Sequence, residues 1–233
     1  MTGTLLNIAA ILIGSTLGLI FGTRIPERLQ TTIIAGLGLF TAAMGLQMFL
    51  KSGNQLIVLG ALLIGALLGE WWKIEERLES LGILLEKRFS RDTEMGSGSR
   101  FIRGFMVTSL LFCIGPMAIL GSIQDGLSGD YQLLAVKSTL DGFASMAFAS
   151  TLGFGVMFSS IIVLIYQGGI SLLAAQLSTI VTEAMMNEMT ASGGLLLLGL
   201  AISNLLEIKK IRVGNFLPAL VVAPLIVWIL NRL

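Results

Sequence analysis

Residues 4–22 read TLLNIAAILIGSTLGLIFG and carry no charged side chain. A helix needs about 20 mostly apolar residues to cross the hydrocarbon core of a bilayer, so this run predicts a transmembrane helix. No basic residue precedes the run, and it is longer than the apolar region of a secretory signal peptide. We therefore expect a first span that is retained rather than cleaved.

Further apolar runs follow along the chain. They lie near residues 31–50, 55–72, 101–122, 132–152, 155–176, 193–208 and 213–231. The runs at 132–152 and 155–176 are polar for membrane helices and the run at 193–208 is short, so we predict eight spans, with seven as the alternative. The expected fold class is an all-α, polytopic transmembrane helical bundle in contact with the lipid bilayer, with one transmembrane domain over residues 1–233.

The composition narrows the class of protein further. Of the 233 residues, 55% are hydrophobic and 12% are charged, whereas a soluble domain carries about a quarter charged residues. Lys and Arg total 15 against 14 for Asp and Glu, which provides no net field for a nucleic acid. Histidine is absent and Cys113 is the single cysteine, so we predict no enzyme activity, no metal site, no cofactor and no nucleic-acid partner.

The basic residues predict the orientation, because Lys and Arg accumulate on the cytoplasmic side of a membrane protein. Alternating spans from an external N-terminus place every Lys and Arg on the inner side except Lys51, Arg232 and the intramembrane Lys137. The opposite orientation would place those inner-side basic residues outside. We therefore predict an N-out, C-out topology.

Residues 73–90 show an amphipathic pattern. Apolar residues recur at helical spacing on one side, and mostly acidic residues occupy the other. We predict that residues 73–100 form an amphipathic helix on the inner membrane surface and a mobile cytoplasmic linker over 91–99, where Gly and Ser are concentrated. A weaker pattern of the same kind covers 177–190 on the outer side. A solvated connecting helix is the alternative for both segments.

A short motif occurs twice. Residues 12–18 read LIGSTLG and residues 63–69 read LIGALLG, and the basic stretches RIPERL (24–29) and KIEERL (73–78) follow them. The pattern predicts an internal repeat of helical hairpins with a basic inner turn, with coincidence in an apolar sequence as the alternative. Glycines four residues apart in both copies predict close helix packing, either within the chain or in a homo-oligomer.

The predicted span at 132–152 carries two opposite charges. Lys137 and Asp141 are four residues apart, so they share one helix face, and Ser138 lies beside them. A charge inside a bilayer is costly unless it is paired or faces a polar cavity, so this pair marks a candidate solute- or ion-binding site. The alternative is a structural ion pair that stabilises the bundle.

Neighbouring segments supply the other candidates. Gly115-Pro116 predicts a break in the fourth span, because proline removes a backbone donor. The remaining predicted site residues are Gln124 and Asp125 near the outer mouth, and Tyr166 and Gln167 in the sixth span. Asn7 and Asn204 are interpreted as residues that hydrogen-bond between helices rather than as ligands.

Polar spans beside a broken helix are typical of a membrane transport protein, so we predict a secondary transporter or channel for a small solute or ion. Asp141 would bind a cation or a proton, and Lys137 would be its counter-charge. The alternative is a non-transporting membrane scaffold or regulatory protein that acts through residues 73–90.

Several stretches carry a resemblance to a known family. They are residues 121–127 (GSIQDGL), 137–143 (KSTLDGF), 150–153 (STLG) and 166–169 (YQGG), with 25–27 (IPE) and 217–219 (LPA) in support. Together they resemble the YqgA/YdfK-type family, a domain-of-unknown-function family of uncharacterised bacterial inner-membrane proteins. The resemblance extends over nearly the whole chain. It implies a multi-pass protein of the bacterial plasma (inner) membrane and brings no established substrate or site.

Overall fold

The computed structural model describes residues 1–22, 25–89 and 97–232, and within these ranges the regular secondary structure is helical, with no strand. The α-helices are α1 (Thr2–Gly22), α2 (Glu27–Phe49), α3 (Gln55–Trp72), α4 (Ile74–Phe89), α5 (Ser97–Cys113), α6 (Pro116–Ser128), α7 (Gln132–Leu152), α8 (Ser159–Leu172), α9 (Ala174–Ser178), α10 (Glu183–Leu200) and α11 (Ala219–Leu230). Phe154–Phe158 and Val213–Phe216 form 3-10 turns, and Ala201–Leu205 continues α10 as a π-helical turn. The predicted all-α class is confirmed.

Six segments of the described residues are long and apolar enough to cross a membrane. They are Thr2–Gly22, Arg28–Phe49, Gln55–Trp72, Phe154–Leu172, Glu183–Leu205 and Val213–Leu230. The bent pair α5–α6 makes a seventh if it crosses as one span, whereas α7 is not among them. A polytopic transmembrane bundle is therefore confirmed. By length and composition, six or seven segments of the described residues qualify as spans, because α7 has the length of a span without the apolar character, and the count of eight stays a prediction.

The break predicted at Gly115-Pro116 separates α5 from α6. The two helices are bent by 63° at this point, and Pro116 is the first residue of α6. Proline is well tolerated there, because the N–H that it lacks would have had no partner within the helix. Gly129, with a left-handed φ of 73°, ends α6 and directs the chain into α7.

The described helices group into two compact units, each built from two separate stretches of chain. Unit 1 comprises Met1–Ile34 and Glu79–Thr179, and unit 2 comprises Ala35–Leu78 and Ile180–Leu233. Two of the three boundaries fall inside α2 and α4, and the third falls between α9 and α10. The prediction of one transmembrane domain over residues 1–233 stays a prediction.

Glycines bring α1 against α7 in unit 1. A Cβ atom at Gly14 would lie 2.1 Å from the carbonyl oxygen of Gly142, and one at Gly18 would lie 2.2 Å from that of Met146. No side chain fits such gaps, so the two backbones touch. The contacted residues of α7 advance along the chain together with the glycines of α1, so the two helices are parallel. The close packing predicted from the glycine spacing is confirmed, with the partner helix in the same chain. These glycines give no support to a homo-oligomer, which stays a prediction.

Contacts between helix termini define the two ends of unit 1. At the first, a Cβ at Gly126 of α6 would lie 2.2 Å from the carbonyl oxygen of Ser171 of α8, and we call this the Asp125 end. At the second, a Cβ at Gly155, just after α7, would lie 2.0 Å from the carbonyl oxygen of Phe101 at the start of α5, and we call this the Phe101 end. The pair α5–α6, then α7, then α8 therefore run alternately between the same two ends.

In unit 2, the second copy of the motif lies in α3, which packs against α11 and the 3-10 turn before it. A Cβ at Gly65 would lie 2.6 Å from the backbone nitrogen of Ala219, and one at Gly69 would lie 1.8 Å from the carbonyl oxygen of Asn215. The partner positions decrease as α3 advances, so this pair is antiparallel. The Asn215 side chain also accepts a hydrogen bond from the backbone of Glu75 at 2.8 Å, which fixes the start of α4.

The structure corrects the boundary predicted before the seventh span. α10 begins at Glu183, so residues 183–190 belong to a candidate span that reaches Leu205 rather than to a separate surface segment over 177–190. An acidic residue is tolerated there because Glu188 is buried with its carboxylate paired. Its donors are the Ser52 hydroxyl (2.8 Å) and the backbone N–H groups of Gly53 (2.8 Å) and Asn54 (2.9 Å).

The amphipathic helix predicted over 73–90 is present as α4, with acidic residues in its first turn and basic residues in its last. α5 begins at Ser97, so residues 97–99 of the predicted linker 91–99 are helical. Residues 91–96 of that linker, and Arg24 of the repeated motif, lie outside the described residues.

Candidate functional site

The charged residues of α7 form an ion pair inside unit 1. The Lys137 ammonium contacts Asp141 Oδ2, as their spacing on one helix face predicted. The side chains of Lys137 and Asp141 are 7% and 12% exposed, so both charges are largely withdrawn from solvent. Their pairing offsets a desolvation cost of several kcal/mol for each ion.

Two amide side chains extend this pair into a larger cluster. Asn7 Nδ2 on α1 donates to Asp141 Oδ2 at 3.0 Å and to Gln167 Oε1 on α8 at 3.3 Å. Asn7 and Gln167 are completely buried. We call Asn7, Lys137, Asp141 and Gln167 the polar centre. Asn7 does hydrogen-bond between helices as predicted, but it does so within the candidate site.

The polar centre retains hydrogen-bonding capacity that no described residue fills. Asn7 Oδ1 is an acceptor and Gln167 Nε2 is a donor, and each is buried without a partner. Asp141 Oδ1 likewise accepts no hydrogen bond from the described residues. An unpaired buried polar group costs about 1–3 kcal/mol, and most buried groups in proteins are paired. The arrangement therefore suits a polar ligand that supplies both donors and acceptors.

An apolar cluster borders the polar centre. Its buried members are Ile11, Phe112, Cys113 and Val163. The Lys137 ammonium lies 5.9 Å from the centroid of the Phe112 ring, a distance at which the face of an aromatic ring attracts a cation. Tyr166, a predicted site residue, is partly buried and packs against this cluster. The structure thus gives Tyr166 a packing contact beside the site.

Asp125, which was predicted at the outer mouth, is buried at the start of α1. Its Oδ2 accepts a hydrogen bond from the backbone N–H of Gly3 at 3.0 Å and lies 3.1 Å from the nitrogen of Met1. The other oxygen, Oδ1, is buried without a partner. A carboxylate at this position satisfies backbone donors that every helix leaves open in its first turn. Asp125 therefore holds the N-terminus of α1 in place.

Two predicted residues stand outside the hydrogen bonds of the polar centre. Gln124 lies on the exposed side of α6. The Ser138 hydroxyl donates to the carbonyl oxygen of Leu134 in its own helix at 2.6 Å. Of the predicted site residues, Lys137 and Asp141 are in direct contact, and Gln167 is linked to Asp141 through Asn7.

Other buried hydroxyl groups without a hydrogen-bond partner accompany the polar centre in unit 1. They belong to Thr4 and Ser15 of α1, Ser109 of α5, Ser122 of α6, Ser145 of α7 and Ser171 of α8. In unit 2, the corresponding group within the described ranges is the hydroxyl of Ser192. Unpaired buried polarity is therefore concentrated in unit 1. Sequence reasoning singled out Ser145 beside the charged pair and missed the others, although the intervals between Asn7 and Ser15 and between Gln167 and Ser171 are multiples of four and indicate shared helix faces.

The comparison with known proteins agrees with the resemblance seen in the sequence. Residues 2–228 match the family described as "Protein of unknown function (DUF554)". The chain belongs to this family. The uncharacterised membrane protein YdfK of Bacillus subtilis (strain 168) is 32% identical to it, over 99% of this chain and 97% of YdfK. The uncharacterised protein YqgA of Escherichia coli (strain K12) is 33% identical, over 95% of this chain and 94% of YqgA. No solved structure matches the chain significantly.

Membership of the DUF554 family confirms a membrane protein with several apolar helices and names no ligand. The roles of individual residues therefore rest on the geometry of the polar centre. Within the described ranges, no three His, Cys, Asp or Glu side chains come together as a metal site would require. The chemistry available at the centre is that of one carboxylate, one ammonium and two amides.

Proposed function

We propose that the protein is a secondary transporter or channel for a small solute or ion in the bacterial plasma membrane, and that the polar centre of unit 1 is its binding site. One observation carries this proposal: a buried ion pair borders amide and carboxylate atoms that have no partner. A purely structural ion pair is stabilising only when its remaining hydrogen bonds are satisfied. A transport site must instead keep capacity for its ligand.

Asp141 supplies the charge that binds a cation or a proton in this proposal. Lys137 occupies Asp141 Oδ2 in the described state, so it acts as an internal competitor that withdraws when the ligand binds. Asn7 Oδ1 and Gln167 Nε2 complete the ligand's coordination with an acceptor and a donor. The sequence contains no Gly-x-x-x-x-Gly-Lys-Ser/Thr phosphate-binding loop, which favours transport driven by a gradient.

The proposed topology has eight spans with both termini outside. α7 runs between the same two ends of unit 1 as its neighbours, which supports a crossing in spite of its polarity. Arg100 and Arg103 lie beside the Phe101 end, and positive side chains favour the cytoplasmic side. The Asp125 end would then face outward.

The internal repeat is part of the same proposal. Aligning residue 12 with residue 63 also aligns Gly3 with Asn54. Gly3 N–H donates to buried Asp125 at 3.0 Å, and Asn54 N–H donates to buried Glu188 at 2.9 Å. The helices that carry the two copies, α1 and α3, therefore both begin at a backbone donor bound to a buried carboxylate. This shared feature supports duplication and is independent of the apolar residues that first suggested it.

The decisive experiment compares Asp141→Asn with wild type in proteoliposomes under imposed H⁺, Na⁺ or K⁺ gradients, read by entrapped fluorescent dyes. We expect wild-type flux above that of protein-free liposomes and loss of that flux in Asp141→Asn. The matched control is Asp130→Asn, since exposed Asp130 caps Gln132 N–H at 3.1 Å and the amide oxygen preserves that bond. Wild-type flux in Asp141→Asn, or no wild-type flux with any of the three ions, would contradict the proposal.

A scaffold or regulatory role is the second candidate, because α4 ends in an exposed basic turn. Lys87 and Arg88 are exposed beside Leu84, which is also exposed, so this surface could attract an acidic partner. Replacing Lys87 and Arg88 by Gln and deleting 91–99 should leave proteoliposome flux unchanged if the protein is a transporter. A phenotype in cells with unchanged flux would favour the scaffold.

A further inference from the structure

The polar face of α1 is interrupted by one apolar residue. From the Asp125 end, the buried positions are Asn7, then Ile11, then Ser15. Four residues of helix advance about 6 Å, so Ile11 separates two polar positions by one turn on each side. Ile11 is completely buried.

The same order occurs on α8, which runs in the opposite direction. From the Asp125 end, α8 presents Gln167, then Val163, then Ser159, and all three are completely buried. On α5, Phe112 is buried beside this level, and Ser109 follows one turn toward the Phe101 end. From the Asp125 end toward the Phe101 end, neighbouring helices therefore present three successive levels of buried residues: a polar level, an apolar level and a second polar level.

The apolar level is a packed cluster and not a coincidence of spacing. Ile11, Phe112 and Val163 contact one another together with Cys113, although they come from three different helices. None of them is more than slightly accessible. An apolar constriction of this kind excludes water and ions even where a narrow gap remains, because wetting it is unfavourable.

We propose that Ile11, Phe112 and Val163 form an apolar gate, closed in this structure, between the polar centre and the Phe101 end of unit 1. The gate rests on the proposed transport function and adds its regulation: the ligand reaches the polar centre from the Asp125 end and leaves only when the gate is wetted. Ser15, Ser109 and Ser159 line the route beyond it.

One residue of the chain can report the wetting of the gate. Cys113 is the only cysteine of the sequence and lies buried in the same cluster as Ile11, Phe112 and Val163. A small, water-soluble, membrane-impermeant thiol reagent modifies Cys113 only when water reaches the gate. The unmodified sequence therefore needs no engineered cysteine.

Val163→Thr tests the gate with minimal change of shape, since a hydroxyl replaces a methyl group on a β-branched side chain. We expect the rate of Cys113 labelling in proteoliposomes to rise at least about tenfold, equivalent to 1.4 kcal/mol in favour of the wetted gate. A parallel rise in passive leak of the transported ion should accompany it. The matched control is Ile165→Thr, because Ile165 lies on the same helix with its side chain exposed.

A second pair of variants, in α1, tests the gate independently in case Val163→Thr fails to fold. Ile11→Thr should also accelerate labelling, whereas Ile13→Thr, at an exposed position of α1, should not. Labelling is compared only for protein that elutes as the wild type does in size-exclusion chromatography. The gate is refuted if either folded gate variant labels no faster than its control, or if wild-type Cys113 labels as fast as in denatured protein.

These readouts distinguish the gate from the function on which it rests. If Asp141→Asn abolishes flux while the gate variants behave as their controls, the gate is wrong and the transport site stands. If Asp141→Asn transports as wild type, the transport site is wrong, whatever the labelling of Cys113. Faster labelling with higher leak in both gate variants supports the gate.

Discussion

Replacing Lys137 by Met and Asp141 by Leu together should separate a transport site from a structural ion pair. Buried ion pairs can often be replaced by apolar residues of similar volume with little loss of stability, whereas removing one partner leaves an uncompensated charge. The two interpretations of this pair therefore predict the same stability and opposite activity. That contrast makes the double variant more informative than either single one.

The magnitudes follow from the contacts of the pair. Breaking a buried pair costs about 3–5 kcal/mol, and we expect the lower value, about 3 kcal/mol, for Asp141→Leu alone, because the two side chains keep 7% and 12% exposure. In the double variant, Asn7 Nδ2 loses Asp141 and keeps Gln167 Oε1 at 3.3 Å, which costs about 1 kcal/mol. The double variant should therefore be about 2 kcal/mol more stable than Asp141→Leu alone.

Equilibrium unfolding in mixed micelles of SDS and dodecyl maltoside, followed by circular dichroism, measures these stabilities. Flux in proteoliposomes measures the activity of the same preparations. We expect the double variant to fold with nearly wild-type stability and to carry no flux. Wild-type flux in the double variant would show that the pair is structural, and a double variant as unstable as Asp141→Leu would refute the energetic reasoning.

Two further predictions concern unit 2 and the topology. Glu188→Ala should lower the free energy of unfolding by about 2–4 kcal/mol, because it leaves the N–H groups of Gly53 and Asn54 without their acceptor. The control Glu183→Ala, in the exposed first turn of α10, should change it by less than about 1 kcal/mol. Equal losses in the two variants would contradict a structural role for the Glu188 carboxylate. Alkaline phosphatase fused after Arg232 should be active in intact bacteria, and alkaline phosphatase fused after Phe89 should be inactive, because the proposed topology places Arg232 outside and Phe89 inside. The reverse result would overturn the proposed orientation.

The features predictable from the sequence were those set by neighbouring residues. The Lys137–Asp141 contact follows from their spacing on one helix, and the bend follows from proline at position 116. The contact of α1 with another helix at Gly14 and Gly18 follows from their lack of a side chain. Each of these depends on one short stretch of chain, so periodicity and residue type were sufficient.

The features that sequence reasoning missed depend on partners far away in the chain. Glu188 indicated a surface segment, and only its contact with Ser52 and the N-terminus of α3 explains why it is buried in α10. Asn7 lies 134 residues from Asp141 and 160 from Gln167, so no local pattern could assign it to the site. For the same reason, the apolar gate becomes visible only when three helices are brought together.

The proposed repeat explains why the polar centre belongs to unit 1. Under the alignment that pairs Gly3 with Asn54, Asn7 corresponds to Val58 and Ser15 to Ala66, and Val58 is completely buried. The carboxylate that holds the helix N-terminus and the glycines that bring helices together are shared by both copies, whereas the polar residues of the interior are not. Requirements of folding therefore account for what the copies share, but they do not account for Asn7, because valine fills the equivalent position in a packed helix. A buried amide with an unpaired oxygen destabilises the unit that contains it, so its presence in α1 alone argues for a ligand that only unit 1 binds.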